Sequence, residues 1–471
     1  MTVESFDVVV MGGGPAGAVG ATVAGVLGKS VALVERHAEI GGAGINSGTL
    51  PSKTLRETAL ALSGLRSRRL FGVDLSLCRE ASIADFTGHQ RNVSAGERER
   101  IGTNLSRFGV RQFHGVASFV NPHRVRIAHA DGAATEIEGR MILIATGSSP
   151  WRPPEFEFED DRIHDSDELL ELGALPRSLA VIGAGVIGSE YACTFASIGT
   201  EVHLIDGRTT LMPFLDGEVS SALAAAMSGA GIHMHLGATV AKCDSSRAGT
   251  VRLELSDGSA LECEGVLVCA GRNSNTGELE LARAGIAPGK RGLIPVNGHY
   301  RSQVEHIYAA GDVVGPPALA TTGMEQARIA MCHAFGVSEK ANLNPLLPTG
   351  IYTIPEASMV GESEESLTRA GVDYVAGKAR YLDCPRGRIL GDESGFLKLL
   401  FRRDDMKLVG VHVVGEQATE LVHIGMVAMM YGADATHFDR ACFNYPTLAD
   451  LYRHAAYDAM LTPRSATREA T

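Results

Sequence analysis

Two short stretches have the residue types and spacing needed to hold a nucleotide diphosphate. They are Gly12-Gly13-Gly14-Pro15-Ala16-Gly17 and Gly183-Ala184-Gly185-Val186-Ile187-Gly188. Glycines in this pattern let the backbone approach a pyrophosphate, and the helix that follows presents its positive end to the charge. An acid closes the next apolar run in each case, Glu35 in the first and Asp206 in the second. Either carboxylate can accept a hydrogen bond from a ribose hydroxyl. Asp206 suits the 2′-hydroxyl of NAD and repels a 2′-phosphate, whereas Arg208, two residues on, can pair with that phosphate. Both nicotinamide nucleotides therefore remain open. A single Gly-x-Gly-x-x-Gly is also compatible with a plain tight turn. Two, each followed by an acid, predict two bound nucleotides that communicate.

The elements around these turns fit that reading. Phe6–Met11 predicts a buried strand, Ala18–Leu27 a small apolar helix and Ser30–Glu35 a second strand. The same order recurs as Leu179–Ile182, Ser189–Ile198 and Glu201–Asp206. Helices are predicted from Leu55 to about Leu70 and from Phe86 to about Phe108, with strands between Val110 and Ile127. Arg140–Ser148 reads as a buried strand ending in Ala-Thr-Gly, and Glu262–Arg272 as one ending in Ala-Gly-Arg. Glu305–Asp312 is an apolar strand closed by Gly311-Asp312. That aspartate is placed either to accept from a cofactor's hydroxyls or to cap the next helix. Pro150, Pro153 and Pro154 mark a boundary. Beyond Gly350, short strands at 356–360, 374–379, 395–401 and 408–414 accompany helices near 416–433 and 447–460. The tail from Pro463 is polar and reads as loose. The expected class is α/β, with two Rossmann-like dinucleotide-binding domains (1–150 with 276–347, and 151–275) and a C-terminal α+β domain (348–471).

The chain has 471 residues and a formal charge of −12, which argues against non-specific nucleic-acid binding. Its 8 cysteines show no C-x-x-C pair and no Cys/His metal spacing. No metal site is expected. The N-terminus has no signal-type segment, and no apolar run is long enough to span a bilayer, so a cytoplasmic protein with no membrane partner is expected. His423 reads as a packing histidine on an apolar helix, and Tyr452 and His454 as dimer-contact residues.

Four stretches carry a family resemblance: Gly48-Thr49-Leu50-Pro51-Ser52-Lys53-Thr54-Leu55-Arg56-Glu57, Pro317–Ala320 with Met324-Glu325-Gln326, Ala418–Gly425, and Phe443-Asn444-Tyr445-Pro446-Thr447. With the order of elements, they make the chain resemble the glutathione reductase and lipoamide dehydrogenase class of flavoenzymes. Within that class it resembles the soluble, FAD-dependent pyridine nucleotide transhydrogenases. The resemblance implies FAD extended along Gly12, Gly14, Gly17, Glu35, Arg36, Gly42, Thr146, Gly147, Gly311, Asp312 and Ala320. It implies NAD(H) or NADP(H) on Gly183, Gly185, Gly188, Asp206, Arg208 and Gly271, and a homodimer built through the C-terminal domain. Lys53 is similar to the lysine beside the flavin N5 edge, paired with an acid that corresponds here to Glu190. On local evidence alone, Lys53 is a lysine near a helix start and Glu190 an ordinary helix residue.

The disulfide reductases of this class carry two cysteines inside the Gly-Gly…Pro-Ser-Lys frame. Gly44 and Thr49 stand at those positions here. Tyr445 and Asp450 replace the histidine and glutamate that would protonate a thiol, and tyrosine has a reference pKa near 10 against about 6.5 for histidine. All four changes remove thiol relay. The resemblance then implies hydride transfer between NADPH and NAD+ through FAD, with Lys53, Glu190, Thr49, Tyr445 and Asp450 around the reaction. A second reading is an NAD(P)H-dependent reductase or oxidase passing electrons to a quinone, oxygen or another small acceptor; it rests on the space that Gly44 would leave over the flavin. A third is a flavin-binding scaffold or lipoyl-domain partner without turnover.

Overall fold

Val8, Val9, Val10 and Met11 are all fully buried, as a strand covered on both faces requires. In the computed structural model, which describes residues 3–64, 82–337 and 342–462, this strand (Glu4–Met11) lies between Val31–Glu35 and Ala134–Ile144 and is parallel to both. Arg111–His114 extends the sheet on one side. On the other, Ile307–Ala309 and the antiparallel hairpin Val116–Asn121/Arg124–Ala128 complete 7 strands. The helices Pro15–Val26 and Ala320–Ala334 pack together on one face, where Ala18, Ala21, Ala24, Ala327 and Ala330 allow close approach.

A second, fully parallel sheet of 5 strands runs His233–Leu236, Glu201–Asp206, Ser178–Ile182, Gly265–Val268, Ile163–Asp165. The short antiparallel pair Ser148–Pro150/Arg272–Ser274 joins the strand exits of the two units. The stretch expected to form one strand from Glu262 to Arg272 is two strands in different sheets, Ala260–Cys263 and Gly265–Val268. The break is at Glu264, whose backbone N–H donates to Ser178 Oγ while its carboxylate accepts from the Arg177 N–H. The third sheet, 5 antiparallel strands in the order Thr349–Ile351, Ala357–Gly361, Leu408–Val414, Phe396–Arg402, Tyr374–Arg380, carries the helices Ala418–Met430 and Leu451–Leu461. The helix expected to begin at Leu55 starts earlier and is described as Thr49–Ser63; its predicted end near Leu70, like the tail from Pro463, lies outside the described residues. None of the described cysteines is in a disulfide, and Cys78 lies outside the described residues. Among the described residues no helix is long and apolar enough to cross a membrane.

The second unit is locked to the third sheet by a buried charge cluster. Lys398 Nζ, 3% exposed, contacts both oxygens of Asp216 (2.9 and 3.1 Å), Glu218 at 3.3 Å, and Glu364. Asp216 caps the helix Gly217–Gly229 and is itself 1% exposed. Burial opposes ionisation of Asp216, but Lys398 and the nearby His412 outweigh it and hold the carboxyl below its ordinary range. Burial likewise opposes the charge on Lys398, and Glu364 and Asp216 raise its ammonium above the ordinary lysine value. A depressed acid contributes stability above its unfolded pKa, and a raised base contributes below its own. The cluster's contribution is thus whole between about pH 4 and pH 10 and falls away outside that window. Lys398→Met should lower unfolding free energy at pH 7 by about 3–5 kcal/mol, because it leaves buried carboxylates unpaired. Denaturant titration checks this, and a loss below 1 kcal/mol would contradict it.

Candidate functional site

The two glycine turns have the same geometry. Gly12 has φ +105°, and a Cβ there would sit 2.4 Å from Ala145 O; Gly183 has φ +104°, with its Cβ position 2.5 Å from Cys269 O. At the third glycine of each turn the clash would be with the first, Gly17 on Gly12 O at 1.8 Å and Gly188 on Gly183 O at 1.9 Å. Only glycine lets helix and strand meet this closely. The helices Pro15–Val26 and Val186–Ser197 have Gly14 and Gly185 as N-caps, residues with no side chain to cap the N-terminus. Their first N–H groups are therefore available to phosphate oxygens.

The two acids have a structural role in the turns. Glu35 Oε2 accepts from Gly13 N at 2.7 Å, and Asp206 Oδ2 from Ala184 N at 2.7 Å, so each carboxylate braces its own turn. Glu35 Oε1 also accepts from His37 N. Asp206 is forked by Arg208, with Nε to Oδ1 at 2.8 Å and a terminal nitrogen to Oδ2 at 2.6 Å. Burial opposes charge on Asp206, but Arg208 and the backbone N–H groups hold its carboxyl below the ordinary range.

Both turns open into one cavity of about 1140 Å³. Its wall includes Gly12, Gly14, Glu35, Arg36, Gly42, Thr49, Lys53, Thr146, Gly147, Gly311, Asp312 and Ala320 from the first unit, and Gly185, Gly188, Glu190 and Gly271 from the second. Gly17 and Gly183 lie behind the wall in the turn contacts above. Asp206 and Arg208 stand at the strand end outside it. Tyr445 and Asp450 are not brought to this wall. Tyr445 is 77% exposed, and Asp450 pairs with Arg453 and His454, both at 3.4 Å. Asp312 Oδ2 accepts from Ser148 Oγ at 2.5 Å, and Arg272 donates to that hydroxyl and to Ser148 O. The site therefore gains Arg272 and Ser148, whose roles depend on contacts more than 100 residues apart in sequence.

The two units meet chemically at Lys53 and Glu190. Lys53 Nζ lies 2.6 Å from Glu190 Oε2. Glu190, almost wholly buried, accepts at its other oxygen from Tyr352 N at 2.9 Å. The Tyr352 ring lies under the ammonium, with 4.9 Å from Nζ to its centroid. One turn further along the same helix, buried Arg56 donates to Thr353 O and pairs with Glu356 at 3.2 Å. The third sheet thus clamps the helices carrying Lys53 and Glu190. Tyr352 contributes a backbone N–H, which no residue type reveals.

Two expectations need correction. Gly44 leaves no open space: a Cβ there would sit 2.5 Å from Pro15 Cγ and 3.2 Å from its Cδ. Pro15 fills the volume, and its ring cannot swing aside. Gly44→Cys should therefore overpack the wall and cost about 1–3 kcal/mol in thermal or denaturant unfolding. Equal stability of variant and parent would count against this packing. His423 is not a packed histidine; it is exposed and lines the cavity. Cys269 is the one thiol on the described wall, and burial pushes it up to about 12, so it is an un-ionised, unpaired thiol at neutral pH.

Residues 6–333 match the model of the pyridine nucleotide-disulphide oxidoreductase family, and residues 347–456 match that family's dimerisation domain. The chain belongs to this family. It is 42% identical over 458 residues to the soluble pyridine nucleotide transhydrogenase of Mycobacterium tuberculosis, covering 97% of each chain. It is 38% identical over 463 residues to the soluble pyridine nucleotide transhydrogenase of Pseudomonas syringae pv. tomato, covering 98% of this chain and 99% of that one. Among solved structures, LpdA from Mycobacterium tuberculosis aligns with a TM-score of 0.88 at 27% identity, over 97% of this chain and 99% of that one.

Proposed function

We propose that this chain moves hydride between NADPH and NAD+, using FAD held along the first glycine turn and one nicotinamide nucleotide at a time on the second. The observation that carries this is the Lys53–Glu190 bridge, where two matching nucleotide turns open into one cavity whose described wall has no pair of thiols. The residues fit the cofactor: the uncapped helix start at Gly14 offers N–H groups to a pyrophosphate, and Asp312 and Thr146 offer oxygens along the wall. Thr146 Oγ1 is buried with no hydrogen-bond partner among the described residues. FAD held there would supply a hydride-carrying group that serves one nicotinamide nucleotide after another.

The chain's own residues then have to position and to balance charge. Lys53 puts a cation beside the reaction, and Glu190 holds that cation in place while taking the Tyr352 N–H. Thr49 on the wall has a hydroxyl that can donate or accept a hydrogen bond but cannot store electrons. Neither step needs a protein base, so the exposure of Tyr445 costs the reaction nothing. We read the chain as divided near 150, 275 and 347. Its C-terminal unit forms the two-fold interface of a cytoplasmic homodimer that uses neither nucleic acid nor membrane, and the exposed Tyr431, Tyr445 and Leu461 belong to the covered surface. The reductase or oxidase reading loses its support, because Pro15 occupies the space attributed to Gly44. Anaerobic mixing of the protein with NADPH and a thio-analogue of NAD+ tests the proposal. Reduction of the analogue is expected, and bleaching of the flavin with no transfer would refute it.

A further inference from the structure

The cavity has a third wall, from the C-terminal sheet. Gly350 lies close under the helix Ala418–Met430, since a Cβ on it would meet Thr419 Cγ2 at 3.0 Å and Tyr352 Cε2 at 3.4 Å. This wall thereby runs from the Tyr352 ring beneath Lys53 to the cavity-facing side of that helix. Most of its polar side chains are already engaged. Thr419 Oγ1 donates to Glu356 Oε2 at 2.8 Å, Ser358 Oγ donates to Thr349 O at 2.9 Å, and the Tyr352 hydroxyl is hydrogen-bonded to Thr419. Val422 is apolar, and Gly350 offers backbone only. His423 is the exception. It stands one helical turn beyond Thr419, on the same face, exposed, lining the cavity, and without a side-chain hydrogen bond among the described residues.

We infer that His423 grips the carboxamide of the bound nicotinamide. This rests on the functional reading above, which brings the nicotinamide to the Lys53–Glu190 end. The adenosine end of the same nucleotide runs the other way, to Asp206 and Arg208 at the strand end. A carboxamide offers one acceptor and two donor hydrogens, and an imidazole nitrogen can meet it either as donor to the oxygen or as acceptor from the N–H. The carboxamide is common to NAD and NADP, so a residue reading it serves both nucleotides equally. That is what one seat used in turn by two nucleotides requires, and it complements the Asp206–Arg208 pair, which faces the only group by which they differ. His423 is thus a binding residue for the half of the nucleotide that reacts.

Binding of NAD+, NADP+ and ADP-ribose to the FAD-loaded full chain, measured by titration calorimetry, tests this. ADP-ribose is the probe that lacks the nicotinamide. His423→Ala should weaken both NAD+ and NADP+ by about three- to tenfold and leave ADP-ribose unchanged. His423→Asn, which keeps a donor and an acceptor, should recover most of the loss. In steady state the alanine variant should raise KM for both nucleotides with kcat held within about threefold, the mark of a uniform binding contact. Unchanged NAD+ affinity in His423→Ala overturns the inference, and so does an equal loss of ADP-ribose affinity. Failure of the activity itself is read separately: a protein that shows this binding pattern but passes no hydride from NADPH to thio-NAD+ keeps the His423 contact and loses the transhydrogenase reading.

Discussion

Lys53→Met should slow anaerobic reduction of the bound flavin by NADPH about a hundred- to a thousandfold, the size expected when one preorganised charge is removed from a reaction site. The ammonium is fixed from three directions, by Glu190 at 2.6 Å, by Ser52 Oγ at 3.3 Å and by the Tyr352 ring. It therefore has no reorganisation to undergo as charge develops. The variant also strands Glu190, which is buried and keeps only the Tyr352 N–H, so some loss of stability accompanies the loss of rate. A second substitution separates the two effects. Glu190→Gln retains an acceptor for Tyr352 N and leaves Lys53 charged, and should cost about tenfold in rate. The double variant removes both charges together. It should regain most of the stability lost by Lys53→Met while remaining as slow. Stopped-flow absorbance and thermal unfolding measure the two quantities. If the double variant regains rate along with stability, Lys53 matters for folding alone.

Arg208→Ala should cut kcat/KM for NADPH by roughly 10- to 150-fold while changing that for NADH less than threefold. One charge-assisted hydrogen bond to a phosphate is worth about 1.5–3 kcal/mol. Arg208 occupies both oxygens of Asp206 and so neutralises the acid that would repel a 2′-phosphate. Without it, the carboxylate faces that phosphate uncompensated. For NADH the same removal frees Asp206 to accept from a 2′-hydroxyl. Equal losses for the two nucleotides would rule out a discriminating role for this pair. Together with the carboxamide contact inferred above, the two ends of the nucleotide would be read by different logic, one common and one selective.

The glycine turns, their strands and their closing acids were legible because each is local. Turn and acid lie 22 residues apart, and the acid's hydrogen bond back to the turn shows how tightly that spacing is used. Lys53 and Glu190 were legible only through family likeness, since 137 residues separate them and neither is distinctive where it stands. Tyr352 was not legible: its part is a peptide N–H and a ring face, both set by tertiary packing. Gly44 was misread because a glycine reports only what its own residue lacks. Whether that leaves a hollow depends on Pro15, which belongs to another element. His423 was misread for a related reason. Its helix is apolar on several sides, so periodicity does not reveal which face meets a core and which a cavity.

The Lys398 cluster has a consequence in time. Asp216 leaves the ribosome 182 residues ahead of the lysine that neutralises it, a delay of roughly 10–40 s at common rates of synthesis. Through that interval the start of the helix Gly217–Gly229 carries acids whose buried counter-charge does not yet exist. The second unit can form its own sheet early, but docking it against the C-terminal sheet has to wait for the last quarter of the chain. A unit encoded in the middle of the chain is among the last to reach its final position.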